Sequence, residues 1–143
     1  MRIALLADIH GNREALEACL AQIDRAGIGR LVFLGDLVGY GADPQWVVET
    51  VMARVARGAQ AILGNHDAAI RDGPRGMNEA AAAAIGWTRT RLSPEAAGFL
   101  ASLPLEAEEE DRLYVHANAS NPVRWHYVTD TEAARRSLEG TPA

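Results

Sequence analysis

Three short apolar runs, each trailed by a polar side chain able to bind metal, constrain this chain more than any other feature. Ile3 to Ala7 leads into Asp8-Ile9-His10, Leu31 to Leu34 into Gly35-Asp36, and Ala59 to Leu63 into Gly64-Asn65-His66-Asp67. The separations from Asp8 to Asp36 and from Asp36 to Asn65 are both close to the roughly 30 residues of one βαβ unit. Successive parallel strands end on one edge of a sheet, where open α/β folds bind their ligands. The pattern therefore predicts that three polar groups far apart in the chain converge at that edge.

The segments between the runs read as crossover helices. Asn12 is placed to cap a helix over residues 13–26 whose apolar positions are Leu16, Cys19, Leu20, Ile23 and Ala26, with Gly27 as its stop. Asp43-Pro44 reads as a cap followed by proline at the first helical position, opening a helix to about Arg57 that Gly58 closes. Arg2 to Ala7 is expected to be a central strand covered on both faces. The β-α-β-α-β alternation predicts an α/β fold with right-handed crossovers.

Beyond Asp67 the regularity changes. Residues 71–77 are turn-rich and predict a loop, Asn78 to about Arg91 a helix, and Ser93-Pro94-Glu95 the cap of another helix to about Ser102. The acidic run Glu106 to Asp111 is expected to be a solvated turn. Arg112 to Val115 should be a fourth strand ending in His116, and Asp130 should open a last helix reaching about Leu138. No internal repeat or low-complexity linker divides the chain, so one domain over residues 1–143 is expected.

Composition narrows the function. A net charge of -5 argues against a generic grip on nucleic acid, although bound dications can still reverse the local field for a phosphate. A single cysteine, Cys19, excludes an intramolecular disulfide and a cysteine-built zinc site, and its place in an apolar stripe predicts a small buried hydrophobe. The apolar start is interrupted at Asp8, so neither a signal peptide nor a membrane span is expected, and a cytoplasmic location follows. The first strand leads to Asp-Ile-His-Gly-Asn, not to the glycine fingerprint of dinucleotide-binding domains.

Asp8-x-His10, Gly35-Asp36, Gly64-Asn65-His66-Asp67 and His116, in this order and each at a predicted strand end, resemble the calcineurin-like metallophosphoesterase family. The resemblance covers residue 1 to about residue 130 and points to the small prokaryotic phosphodiesterase branch. It implies a β-sandwich flanked by helices, with the N-terminal half to two-thirds of it in this chain. It also implies two divalent transition-metal ions, manganese first, with iron, nickel or zinc as alternatives that the ligand set does not separate. By the same resemblance Asp36 bridges the ions, Asp8 and His10 hold one, and Asn65 and His116 hold the other. Hydroxide between the ions would attack phosphorus in line. His66 matches the family's catalytic histidine, which stabilises developing charge or protonates the leaving oxygen, with Asp67 or Asp8 to hold its ring.

Two departures qualify this. Family members carry a later Gly-His-x-His motif, and nothing here matches it: the remaining histidine, His126, is read as a mouth or surface residue. A C-terminally truncated domain with an exposed sheet edge is therefore expected. After Asp36 the chain reads Leu-Val-Gly-Tyr-Gly, where Ser/Thr phosphatases of the superfamily have Arg-Gly, which disfavours a protein substrate. The expected partner is a small phosphoester or a nucleotide, with Arg71, Arg75 and Arg124 as candidates for its phosphate. Neither a membrane nor generic nucleic acid is expected as a partner, and homo-oligomerisation stays open. The rival reading is a metal-binding or scaffold module lacking the last two histidine ligands.

Overall fold

A computed structural model describes residues 2–141. Its centre is a three-stranded parallel sheet of β1 (Ile3–Leu6), β2 (Arg30–Phe33) and β3 (Gln60–Ala61), in the order β1-β2-β3. Ile3 pairs with Arg30 and Leu6 with Phe33, while Phe33 also pairs with Ala61. β2 is thus the central strand, and Leu31, Val32 and Phe33 are all buried. β1 lies at an edge, with Leu5 53% exposed, so the expectation of a first strand covered on both faces is corrected.

The crossovers are α1 (Arg13–Arg25) and α2 (Pro44–Val55). Asn12 caps α1 as expected, its side chain accepting from the Ala15 N–H at 3.0 Å, and Gly27 follows the helix end at φ 60°. The buried stripe of α1 is Leu16, Leu20 and Ile23; Cys19 falls off this i, i+4, i+7 line and is exposed, which corrects its reading as a core residue. Asp43 occupies the cap of α2 without a side-chain capping bond.

Three further helices follow: α3 (Asn65–Asp72), α4 (Glu79–Arg89) and α5 (Pro94–Ser102). The side chains of Asn78 and Ser93 accept from Ala81 N–H and Ala96 N–H and cap α4 and α5. Ile70, Ile85, Leu100 and the inner faces of α1 and α2 form one core with Leu31, Phe33 and Leu63.

The acidic run is not a turn. Glu106–Glu109 forms β4, paired antiparallel with β5 (Arg112–Val115), and only Glu110-Asp111 turns between them. Poor intrinsic strand formers are held there by pairing and by packing: Tyr114 and Ala107 lie with Val32 and Ile62 on the second face of the parallel sheet. Arg30 ties the layers together by an ion pair to Glu109. A 3-10 turn (Pro122–Arg124) and α6 (Thr131–Glu139), capped by Asp130, complete a mixed α/β fold.

Candidate metal centre

The loops after β1 and β2 are fastened to each other before any side chain is considered. Asp8 N–H donates to Gly35 O at 3.2 Å, His10 N–H to Asp36 O at 2.9 Å and Gly11 N–H to Leu37 O at 2.8 Å. This zipper sets Asp8, His10 and Asp36 side by side, and all three hold left-handed backbone, with φ of 55°, 50° and 52°. Non-glycine residues avoid that region, and a run of them at one place marks a site where the surroundings enforce geometry. Gly35 and Gly64 are needed for different reasons. Gly35 has φ 90°, and a Cβ there would stand 2.6 Å from Gly64 N, whereas Gly64 has ordinary φ and lacks room because a Cβ would strike Asp36.

Asp36 is buried at the middle of the cluster. Its Oδ1 accepts the His66 N–H at 2.8 Å, and its Oδ2 lies 3.8 Å from His10 Nε2 and 3.5 Å from His116 Nε2. Burial pushes its carboxyl up, but contacts with His116 and the His66 N–H outweigh burial and hold it below the usual carboxylate range. Asp8 is more exposed and also reaches the cluster, with Oδ1 3.7 Å from His10 Nε2. Asn65 Oδ1 lies 3.2 Å from His116 Nε2.

Both imidazoles are oriented by backbone. His10 Nδ1 meets Val38 O at 3.1 Å and His116 Nδ1 meets Leu34 O at 2.7 Å, so each Nδ1–H donates outward and each Nε2 is turned into the cluster. Burial lowers His116, yet Asp36 overrides it and raises the ring to about 9. Two groups of ligand atoms result, each within 4.8 Å: His10, Asp36 and His66, and Asp8, Asp36 and His116. Asp36 belongs to both. A buried carboxylate shared by two oxygen- and nitrogen-rich sets fits divalent transition-metal ions, and the absence of sulfur donors fits hard to intermediate ions.

His66 sits within this cluster, its ring 4.7 Å from His10 and 4.8 Å from Tyr40, and its Nδ1 is buried without a partner. Burial holds it below the ordinary histidine value against the pull of Asp36. Asp67 does not hold that ring. Its Oδ1 accepts Leu37 N–H at 2.9 Å and Val38 N–H at 3.2 Å, and its Oδ2 accepts Gly64 N–H at 3.1 Å. Burial, with Asp36 nearby, pushes its carboxyl up to about 7 against these three donors. Asp67 is a latch joining the post-β2 loop to the start of α3, a role that spacing alone cannot reveal.

The arginines lie apart from this chemistry. Arg71 pairs with its neighbour Asp72 at 2.6 Å, Arg75 is exposed in the loop after α3, and Arg124 is exposed in the 3-10 turn. His126 is exposed too. Two clefts open from the cluster, and none of these side chains lines either of them. Tyr40 and Trp125, which the sequence reading passed over, do line them. The available signal was a bulky residue between two glycines in Gly39-Tyr40-Gly41.

The calcineurin-like phosphoesterase family model matches residues 1–141. The chain is 38% identical over 132 residues to the uncharacterized protein MJ0912 of Methanocaldococcus jannaschii, covering 88% of this chain and 53% of that protein. It superposes on a metallophosphoesterase from Sphaerobacter thermophilus with a TM-score of 0.82 at 33% identity, covering 99% of this chain and 57% of the other. For the hypothetical protein PH1004 from Pyrococcus horikoshii the TM-score is 0.69 at 25% identity, covering 76% and 50%. The chain thus spans about half the length of the relatives it matches.

Proposed function

This chain belongs to the calcineurin-like phosphoesterase family, and from that premise we propose that its cluster binds two divalent metal ions and hydrolyses small phosphoesters. The observation that carries the reading is the placement of Asp36, whose buried Oδ2 faces Nε2 of both His10 and His116, residues that come from two separate strand ends. In this reading Asp36 is shared by both ions, Asp8 and His10 complete one ligand set, and Asn65 and His116 the other. Manganese is the first candidate, with iron, nickel or zinc as alternatives. Bound ions would supply an activated water and positive charge for the phosphate oxygens.

The chain's own residues do the rest. The zipper between the post-β1 and post-β2 loops fixes Asp8 and Asp36, and the latch of Asp67 fixes Asn65 and His66 against them. His66 is the group we assign to the substrate, not to metal. With Nδ1 buried, its Nε2 is the nitrogen left to meet the leaving oxygen, to stabilise charge there or to pass it a proton.

The test measures metal per chain and turnover of an aryl phosphodiester after loading with manganese. Wild type should retain metal and turn over, and Asp36→Asn should lose most of both, because one substitution weakens both ligand sets. Equal metal content and activity in Asp36→Asn would remove Asp36 from its assigned place. Metal retention by wild type without turnover would favour the binding-module reading.

A further inference from the structure

The cleft of about 270 Å³ beside the cluster has two chemically different walls. One wall is Asp8, Asn65 and His116, three of the residues assigned to metal. The other is Trp125, Tyr127 and Val128. The geometry points to this second wall as a stacking site for a flat aromatic group carried by the substrate, such as a nucleobase or a phenyl ring. The inference rests on the phosphoesterase reading of the same cluster and narrows the substrate to a nucleotide-like or aryl phosphoester.

Trp125 carries the first part of the argument. It holds φ 55°, a conformation bulky residues avoid and one that persists only where the surroundings impose it. The strained turn sets its indole edge-on to His116, with ring centroids 5.9 Å apart and planes at 73°, so the aromatic wall begins against a proposed ligand. Tyr127 follows with 81% of its surface exposed and Val128 with 41%. Apolar surface of this kind, continuous with a polar centre, is how small-molecule sites combine adhesion with orientation. π-faces accept flat rings whatever their sequence of heteroatoms.

The Trp125 end of the wall is also preformed. Asn118 is buried, and its Oδ1 accepts both the N–H and the hydroxyl of Ser120. Ala119 N–H donates to Ser137 Oγ at 3.0 Å, tying the loop to α6, and Trp125 N–H closes the turn on Pro122 O. A ligand ring would therefore meet Trp125 already in place on its turn.

The experiment compares two ligands that share a phosphate and a ribose but differ in the flat group. Adenosine 5′-monophosphate and ribose 5-phosphate are titrated by calorimetry into the manganese-loaded chain. Stacking on one aromatic predicts about tenfold or more tighter binding of the adenosine compound. Trp125→Ala and Tyr127→Ala should each erode that preference and leave ribose 5-phosphate unchanged, while Trp125→Phe should retain most of it. Tyr127→Ala alters an exposed side chain, so it remains informative even if Trp125→Ala folds poorly. Equal affinity for both ligands in wild type, or an undiminished preference in Tyr127→Ala and Trp125→Ala, overturns the stacking site and leaves the phosphoesterase reading standing. Binding of neither ligand overturns both.

Discussion

His66 and His116 occupy one cluster yet meet it differently, and two substitutions separate them. His116 is fixed by Leu34 O and aims Nε2 at Asp36 and Asn65, whereas His66 has an unpartnered buried Nδ1 and packs on His10 and Tyr40. His66→Ala should leave metal content nearly unchanged and lower kcat by roughly 10²–10⁴-fold, the usual worth of acid-base help. His116→Ala should lower metal affinity first, with activity following. If His66→Ala sheds metal as readily as His116→Ala, then His66 completes the ligand set around His10 and Asp36. A second prediction concerns the latch. In Asp67→Asn one oxygen becomes a donor facing the backbone N–H groups of Leu37, Val38 or Gly64, so at least one buried donor is orphaned. The loss should be roughly 1–3 kcal/mol, read from urea unfolding of metal-free protein; an unchanged midpoint would show that the latch is dispensable. The residues of the cluster were legible in the sequence because carboxylate, amide and imidazole types recur at strand ends. The work of Asp67 was not, because its partners are backbone donors that any residue could supply.

At the level of elements, helix starts were the most legible feature, since Asn12, Asn78, Ser93 and Asp130 each accept from the N–H three residues on. α3 was missed for a physical reason. Its cap is Gly64, which has no side chain to signal a start, and its first turn is the Asn-His-Asp that reads as chemistry, with Asp67 accepting the cap N–H. β5 was expected at its observed bounds, whereas β4 was missed because its stability is tertiary: Glu109 is held by Arg30 and Ala107 by the sheet beneath. A contact that joins two crossovers yields a pH prediction. Arg54 on α2 grips Asp24 on α1 with two bonds of 2.8 Å, and this hydrogen bonding holds the Asp24 carboxyl below its ordinary value. The sign follows from the depressed folded value: the stabilisation is present above the unfolded value of about 3.9 and is lost as pH falls through the folded one. Thermal melts of wild type and Asp24→Asn should therefore differ at pH 6 and converge in acid. Because the pair is solvent-facing the difference should be small and should shrink in salt. A gap that widens in acid would contradict the assignment.

Across the whole molecule the two faces of the parallel sheet are unequal. One face carries the deep core, where Phe33, Leu63, Ile70, Ile85 and Leu100 meet under the helices. The other is covered at Val32 and Ile62 by Tyr114 and Ala107, but the cover does not extend to Leu5, the register partner of Val32 on β1. β1 is thus an edge strand with an open face at Leu5, and among the described residues no helix is long and apolar enough to cross a membrane. The asymmetry makes a paired prediction. Leu100 is fully buried on α5, against the core that α3 and α2 share, so Leu100→Ala should cost about 2–5 kcal/mol through lost transfer energy and an incompletely collapsed cavity. Leu5→Ala removes a side chain that already meets water over half its surface, and should change stability by no more than about 0.5 kcal/mol. Chemical denaturation of both variants, at two protein concentrations, decides the matter. Leu5→Ala as costly as Leu100→Ala at high concentration only would mean that a second copy covers β1 in solution. Equal cost at both concentrations would mean that the chain itself closes over Leu5, and the one-sided layering described here would have to be abandoned.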